Sequence, residues 1–279
     1  MRPTGAAPLA GNAVTGRTAH GLAPLPVLPR GKRLRLGLEM TAVLFVSLGA
    51  SAVWSIISIL DALTRESRLN EQQVALNPSR SDREWLDFLN QFTGHVLAFA
   101  PVLLVIVLLW QASKPRLGQI GIDATKPGRD ILLGVGLVAL IGIPGIAFYF
   151  ASVWMGVNRV IDPGSGSPYW WSIPVLLLAA ARAAFVEEFI VLGYWFERMR
   201  RFGIQPWLII LTSSLVRGSY HLYQGFGGFI GNVVMGLVFG WIYQKTGRLW
   251  PFVVAHFFID AIVFVGYPLV AHLLPLPQN

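Results

Sequence analysis

Five ionisable side chains stand in otherwise apolar surroundings in the last third of the chain. Glu187 and Glu188 lie within Ala184-Phe185-Val186-Glu187-Glu188-Phe189-Ile190-Val191. His221 closes the stretch Ser213-Ser214-Leu215-Val216-Arg217-Gly218-Ser219-Tyr220-His221, and His256 and Asp260 lie four apart in Pro251–Asp260. Four residues is one helical turn, so His256 and Asp260 can converge, and Arg217 shares a helix face with His221. The adjacent glutamates point about 100° apart on a helix, so one is expected to act while the other supports it. A carboxylate in a poorly solvated cavity is a better general base toward water, and imidazoles relay protons or donate to an oxyanion, which together suits amide hydrolysis without a serine nucleophile. Two neutral imidazoles with a carboxylate (Glu187, His221 and His256) equally form a zinc set that would activate water. The residues leave both routes open, Zn2+ or no metal.

The elements that must hold these groups are membrane helices. The chain has 279 residues, 54% hydrophobic and 13% charged, against roughly 25% charged in an ordinary soluble domain. Seven apolar spans are predicted, at about 37–63, 88–112, 130–154, 170–197, 206–222, 228–243 and 249–272, with the fifth and sixth barely long enough to cross a hydrocarbon core of ~30 Å. The expected fold is therefore all-α: a polytopic transmembrane helical bundle. Residues 1–35, rich in Pro, Ala, Gly and basic side chains, read as a disordered cytosolic tail. Residues 36–169 form N-terminal helices and loops, 170–272 the catalytic core, and 273–279 a C-terminal tail. The first apolar run begins too late and runs too long for a cleaved leader.

Of 22 Lys and Arg, fifteen fall in the tail and the even-numbered loops. Five lie on the opposite side (Arg65, Arg68, Arg80, Arg83 and Arg159), and Arg182 and Arg217 sit within spans. This bias predicts a cytosolic N-terminus and, with seven crossings, an external C-terminus. The basic residues flank apolar runs rather than forming a patch, so the pI near 10.2 points to membrane lipids and not to nucleic acid. With no cysteine, disulfides, thiolate ligands and a cysteine nucleophile are excluded. At ~1.5 Å per residue, Glu187 and Asp260 would lie about 16 Å deep, His256 about 10 Å and His221 about 22 Å, close enough to surround one cavity. Gly227, Gly231, Gly236 and Gly240 form two small-xxx-small pairs that allow close helix approach. His95 and Asn232 read as helix-bridging polar groups, and His20 and His272 as solvent or headgroup contacts.

Residues 170–265 resemble the CAAX protease and bacteriocin-processing family, also called the Abi family of intramembrane proteases. Its Glu-Glu pair followed by Arg appears as Glu187 to Tyr194, its Phe-xxx-His as Arg217 to His221, and its His-xxx-Asn/Asp as His256 to Asp260. Gly247-Arg248-Leu249-Trp250-Pro251 resembles the lead into the last motif. The resemblance implies an endopeptidase of the bacterial cytoplasmic membrane acting on a peptide or lipidated peptide. It makes Glu187 the base that activates water with His221, Glu188 a supporting residue, and His256 with Asp260 a metal or oxyanion site. Two positions depart from the pattern. Leu192 stands where the motif has Arg, and Arg217 where it has Phe, so Arg217 is expected to replace the missing charge by pairing with Glu188. Arg182, five residues before Glu187, is off that face. The competing readings are a proton- or ion-coupled transporter and a non-catalytic scaffold or immunity factor of the same fold. Against a transporter stands the lack of a convincing internal repeat.

Overall fold

The computed structural model describes residues 17–18, 21–22, 25–111, 114–164 and 169–266. Eleven α-helices account for most of them. They are α1 (Arg30–Phe45), α2 (Leu48–Leu63), α3 (Glu84–Leu97), α4 (Ala100–Leu109), α5 (Pro127–Leu137), α6 (Ile143–Trp154), α7 (Ser172–Glu187), α8 (Trp195–Arg201), α9 (Pro206–Ser219), α10 (Phe226–Thr246) and α11 (Trp250–Ala261). Prolines at the first or second position open α4, α5, α6, α9 and α11, where the missing N–H costs nothing and the fixed φ favours the helix. Gly247, at φ +61°, closes α10 in the left-handed conformation that ends many helices.

The all-α expectation holds, with three short two-stranded ribbons added. β1 (Arg17–Thr18) pairs with β2 (Gly21–Leu22), β3 (Gln73–Ala75) runs parallel to β6 (Val160–Asp162), and β4 (Trp110–Gln111) pairs with β5 (Lys114–Pro115). The segment expected as a tail to residue 35 is already helical from Arg30, and Leu22 is buried, its carbonyl accepting a hydrogen bond from Gln244 of α10. Residues 1–16, 19–20 and 23–24 of that tail, and residues 267–279 at the other end, lie outside the described residues.

The protein is an integral membrane protein. Among the described residues, Glu84–Leu109, Pro127–Trp154 and Phe226–Thr246 are each long and apolar enough to cross a membrane, and α1 with α2, bent by 53°, makes a fourth if counted as one span. The other expected spans coincide with shorter or more charged helices. The fifth is fourteen residues, α9, and the seventh is the run Trp250–Gly266. The outward faces carry Phe45, Leu132, Trp154 and Trp170 exposed, a surface suited to hydrocarbon and headgroups.

The core gathers around the fully buried aromatics Phe196, Phe239, Tyr243 and Phe252 with Ile190 and Leu192. Helix α10 passes very close to its neighbours. A Cβ at Gly236 would lie 2.9 Å from the Cα of Ser214, and one at Gly227 2.5 Å from the Cβ of Ser152. The small residues predicted to permit close approach thus bring α9 and α6 against α10.

Candidate active site

Helix α7 presents Ala179, Ala180, Ala183 and Ala184, all buried, and packs against α11. Such small side chains let the two backbones approach, which brings His256 of α11 to the glutamates at the end of α7. At Glu188 the α-helix gives way to a π-helix, Glu188–Tyr194, every residue of which is buried. A π turn shifts the side-chain register locally and is a common device at functional sites. Here the shift begins at the second of the two carboxylates.

Arg217 joins the pair from α9. Its Nη2 donates to Glu188 Oε1 at 2.6 Å and its Nη1 reaches Glu187 Oε2 at 3.4 Å. The expected Arg217–Glu188 pairing is present. The 100° between the two glutamates does not keep them from a common partner, because a planar guanidinium offers separate nitrogens to each. Tyr220 OH donates to Glu187 Oε2 at 2.8 Å. His256 Nδ1 lies 2.7 Å from Glu188 Oε1, and its Nε2 lies 3.5 Å from Asp260 Oδ2 and 4.0 Å from Glu187 Oε2. With a carboxylate at each nitrogen, the ring can carry an N–H on both. Glu188 has no exposure, whereas Glu187 keeps 12% and Asp260 21% of the side chain accessible, so the cluster opens on the Glu187–Asp260 side.

His221 is placed differently from its predicted helix face. Helix α9 stops at Ser219, and His221 stands in the following turn, where its Nδ1 lies 3.0 Å from the carbonyl of Arg217. The last carbonyls of a helix lack intrahelical donors, so the imidazole caps one of them. Since a carbonyl only accepts, Nδ1 must donate, which leaves Nε2 as the basic nitrogen. No direct hydrogen bond joins His221 to Glu187 among the described residues, although the two lie within electrostatic range of each other and of His256.

The turn that carries His221 is anchored from outside the last four helices. Ser55 of α2 accepts the backbone N–H of Tyr223 at 2.6 Å. Arg159 binds the Tyr223 carbonyl at 3.3 Å and the Gln73 carbonyl of β3 at 2.9 Å, and its own N–H reaches the Gln224 carbonyl at 2.8 Å. Gly225 follows at φ +119°, where a Cβ would lie 2.7 Å from the Cα of Asn158. The short β3–β6 ribbon, which no hydrophobic alternation announced, is therefore part of the support for His221.

Of the residues predicted from sequence, Glu187, Glu188, Arg217, His256 and Asp260 meet in one network, with His221 at its edge. Tyr220 was missed; its only signal was a phenol beside His221 in an apolar stretch. Asn232 bonds the Gly228 carbonyl of its own helix at 3.0 Å, as a packing residue does. His95 is buried elsewhere, beside Arg182 and Arg80.

The donor set does not suit a divalent cation. Glu187 Oε2, which would serve as a ligand beside the two imidazoles, already receives Tyr220 and faces the guanidinium of Arg217, and that guanidinium would repel a metal. Among the described residues no three His, Asp or Glu side chains are disposed to hold a metal ion.

Residues 169–262 match the sequence model of the Rce1-like type II CAAX prenyl endopeptidases. Comparison with curated proteins and with solved structures returned no match.

Proposed function

We propose, on the match of residues 169–262 to the Rce1-like CAAX-type endopeptidases, that the protein hydrolyses a peptide bond within the membrane by glutamate-activated water, without a metal. The observation that carries this reading is the asymmetry of the glutamate pair. Glu188 is buried and bonded to Arg217 and His256. Glu187 is held by one oxygen, its Oε1 accepts no hydrogen bond among the described residues, and it faces the accessible side.

Glu187 takes a proton from water as the water oxygen attacks the scissile carbonyl carbon. His221, through Nε2, receives that proton and delivers it to the departing amine as the C–N bond breaks. His256, oriented by Glu188 and Asp260, donates an Nε2 hydrogen bond to the oxyanion. Glu188 and Arg217 fix this geometry without touching the substrate. The substrate class that fits is a prenylated or otherwise membrane-associated peptide, whose apolar part would lie against the exposed hydrophobic faces. Seven crossings, a cytosolic N-terminus and residence in a bacterial cytoplasmic membrane complete the proposal.

Purified protein in detergent is tested on a prenylated peptide beside Glu187→Gln and His221→Ala, with folding checked by thermal unfolding. Glu187→Gln should lower kcat by about 10³-fold and His221→Ala by about 10²-fold, the range of general acid–base effects. Cleavage that is unchanged in both folded variants overturns the site. Cleavage abolished by a chelator and restored by zinc overturns the metal-free mechanism.

A further inference from the structure

Helix α10 begins without a side-chain cap of its own. It starts at Phe226, and Gly225 before it has no side chain to offer the orphan N–H groups of the first turn. Val157 and Asn158, on the link between α6 and β6, supply what is missing. The Val157 carbonyl accepts from the Phe226 N–H at 2.9 Å, and Asn158 Oδ1 accepts from the Gly228 N–H at 2.8 Å. Asn158 is buried and is itself held, its Nδ2 donating to the Arg159 carbonyl at 3.0 Å. Glycines make the room for it: a Cβ at either Gly225 or Gly227 would lie 2.9 Å from Asn158 Oδ1.

The cap reaches His221 by direct packing. A Cβ at Gly228 would lie 3.1 Å from the His221 carbonyl oxygen, so the N–H that Asn158 holds and the backbone of His221 belong to one tight turn. The Arg159 N–H and guanidinium clamp the same turn at the Gln224 and Tyr223 carbonyls, 2.8 and 3.3 Å away. His221 is thus fixed from two sides, by the end of α9 at its Nδ1 and by Asn158 and Arg159 through its backbone. Neither Asn158 nor Arg159 falls within residues 169–262, which match the family. We propose that Asn158 is a positioning residue for the reaction: by capping α10 at Gly228 it fixes the turn from which His221 directs Nε2 into the site. This rests on the protease reading of the Glu187 site, and the state of the His221 ring tests it separately from cleavage.

The test uses full-length protein in neutral detergent, a prenylated peptide as substrate, and thermal unfolding as the check on folding. Asn158→Leu keeps the bulk and removes the acceptor, and should lower kcat about 10- to 100-fold at unchanged KM, the effect of displacing a catalytic group by about 1 Å. Asn158→Asp keeps an acceptor for Gly228 and should recover most of that loss. In a His221→Ala background Asn158→Leu should change kcat by less than about twofold, because groups that act as one unit are not additive. A residue that only stabilises α10 would lower the unfolding temperature and leave kcat of the folded protein alone. That result, or a full loss of kcat on top of His221→Ala, overturns the proposal. Where Asn158→Leu does not fold, Arg159→Met is read in the same way. NMR of isotope-labelled histidine, with the His221 signal identified by its loss in His221→Ala, should show the Nδ1–H tautomer in the parent and in Asn158→Asp, and an average of both tautomers in Asn158→Leu. An unmoved signal in folded Asn158→Leu overturns the proposal while cleavage by the parent stands. A signal that moves in a protein whose parent cleaves nothing supports the positioning role and overturns the protease reading instead.

Discussion

Two buried arginines each stand between two carboxylates, and the two clusters are finished differently. Arg248, on the link between α10 and α11, sends Nε and Nη2 to the two oxygens of Asp130 at 2.5 and 2.6 Å, reaches Asp123 at 3.0 Å, and gives Nη1 to Thr125 at 3.2 Å. Both Asp130 oxygens are satisfied, and these hydrogen bonds raise the Arg248 guanidinium above its usual pKa, so the arginine that clamps α5 to the α10–α11 link stays charged. Arg217 instead gives one nitrogen to each glutamate, at 2.6 and 3.4 Å, and Glu188 Oε2 is left buried with no partner among the described residues. A buried polar atom without a hydrogen bond costs about 1–3 kcal/mol. The closed cluster ties helices together. The open one also leaves Glu187 Oε1 without a hydrogen bond among the described residues on the accessible side, where water and a substrate would complete it.

The largest effect is expected at the open cluster. Arg217→Phe leaves two glutamates facing each other in the membrane interior, and removing one partner of a buried ion pair costs about 3–5 kcal/mol. It also restores the residue type that the family motif carries there. Adding Leu192→Arg, one turn beyond Glu188 and fully buried, returns a guanidinium from the other helix. If Arg217 has taken over that charge, the double variant recovers stability and cleavage by more than the sum of the single effects, a coupling of about 1–3 kcal/mol in a thermal-unfolding cycle. Additive effects would separate the two positions and sink the swap.

The same surgery on the closed cluster sharpens the contrast. Arg248→Met should lower stability by about 3 kcal/mol, because Asp130 is left buried and unpaired, while kcat per folded molecule is unchanged. A fall in kcat without loss of stability would make Arg248 part of the site and erase the distinction.

How much of this was legible in the sequence follows from the same two clusters. Charged residues in apolar runs are conspicuous, so Glu187, Glu188, His256 and Asp260 could be named from type and spacing, and the paired departures at Leu192 and Arg217 pointed to the Arg217–Glu188 contact. Their burial and shared axis were implied by lipid, a solvent that leaves such groups few other places to go. What stayed hidden depended on backbone detail that spacing does not encode. Helix α9 ends two residues before His221, and the π turn starts at Glu188. The cap at Asn158 was equally invisible, because nothing in the spacing joins that residue to Gly228, 70 positions further on. The span count suffered for a related reason, because charge within Ser172–Arg201 and the short length of α9 blur what an apolar window can recognise.

The smallest effect is expected at Tyr220, and it is the one that tests the asymmetry directly. Its hydroxyl holds Glu187 Oε2 at 2.8 Å, and that bond aims the other oxygen toward the accessible side. Tyr220→Phe keeps the ring and its packing against His221, 4.7 Å between centroids, and removes one hydrogen bond worth about 1 kcal/mol net. Glu187 is then free to turn toward His256, whose Nε2 is 4.0 Å away. A lower kcat by about fivefold to tenfold, with KM and the unfolding temperature unchanged, is the expected result, since the substrate does not touch the phenol. An unchanged kcat would mean that Arg217 alone orients Glu187. A change confined to KM would put Tyr220 against the peptide and move the water-activating face of Glu187 to its other side.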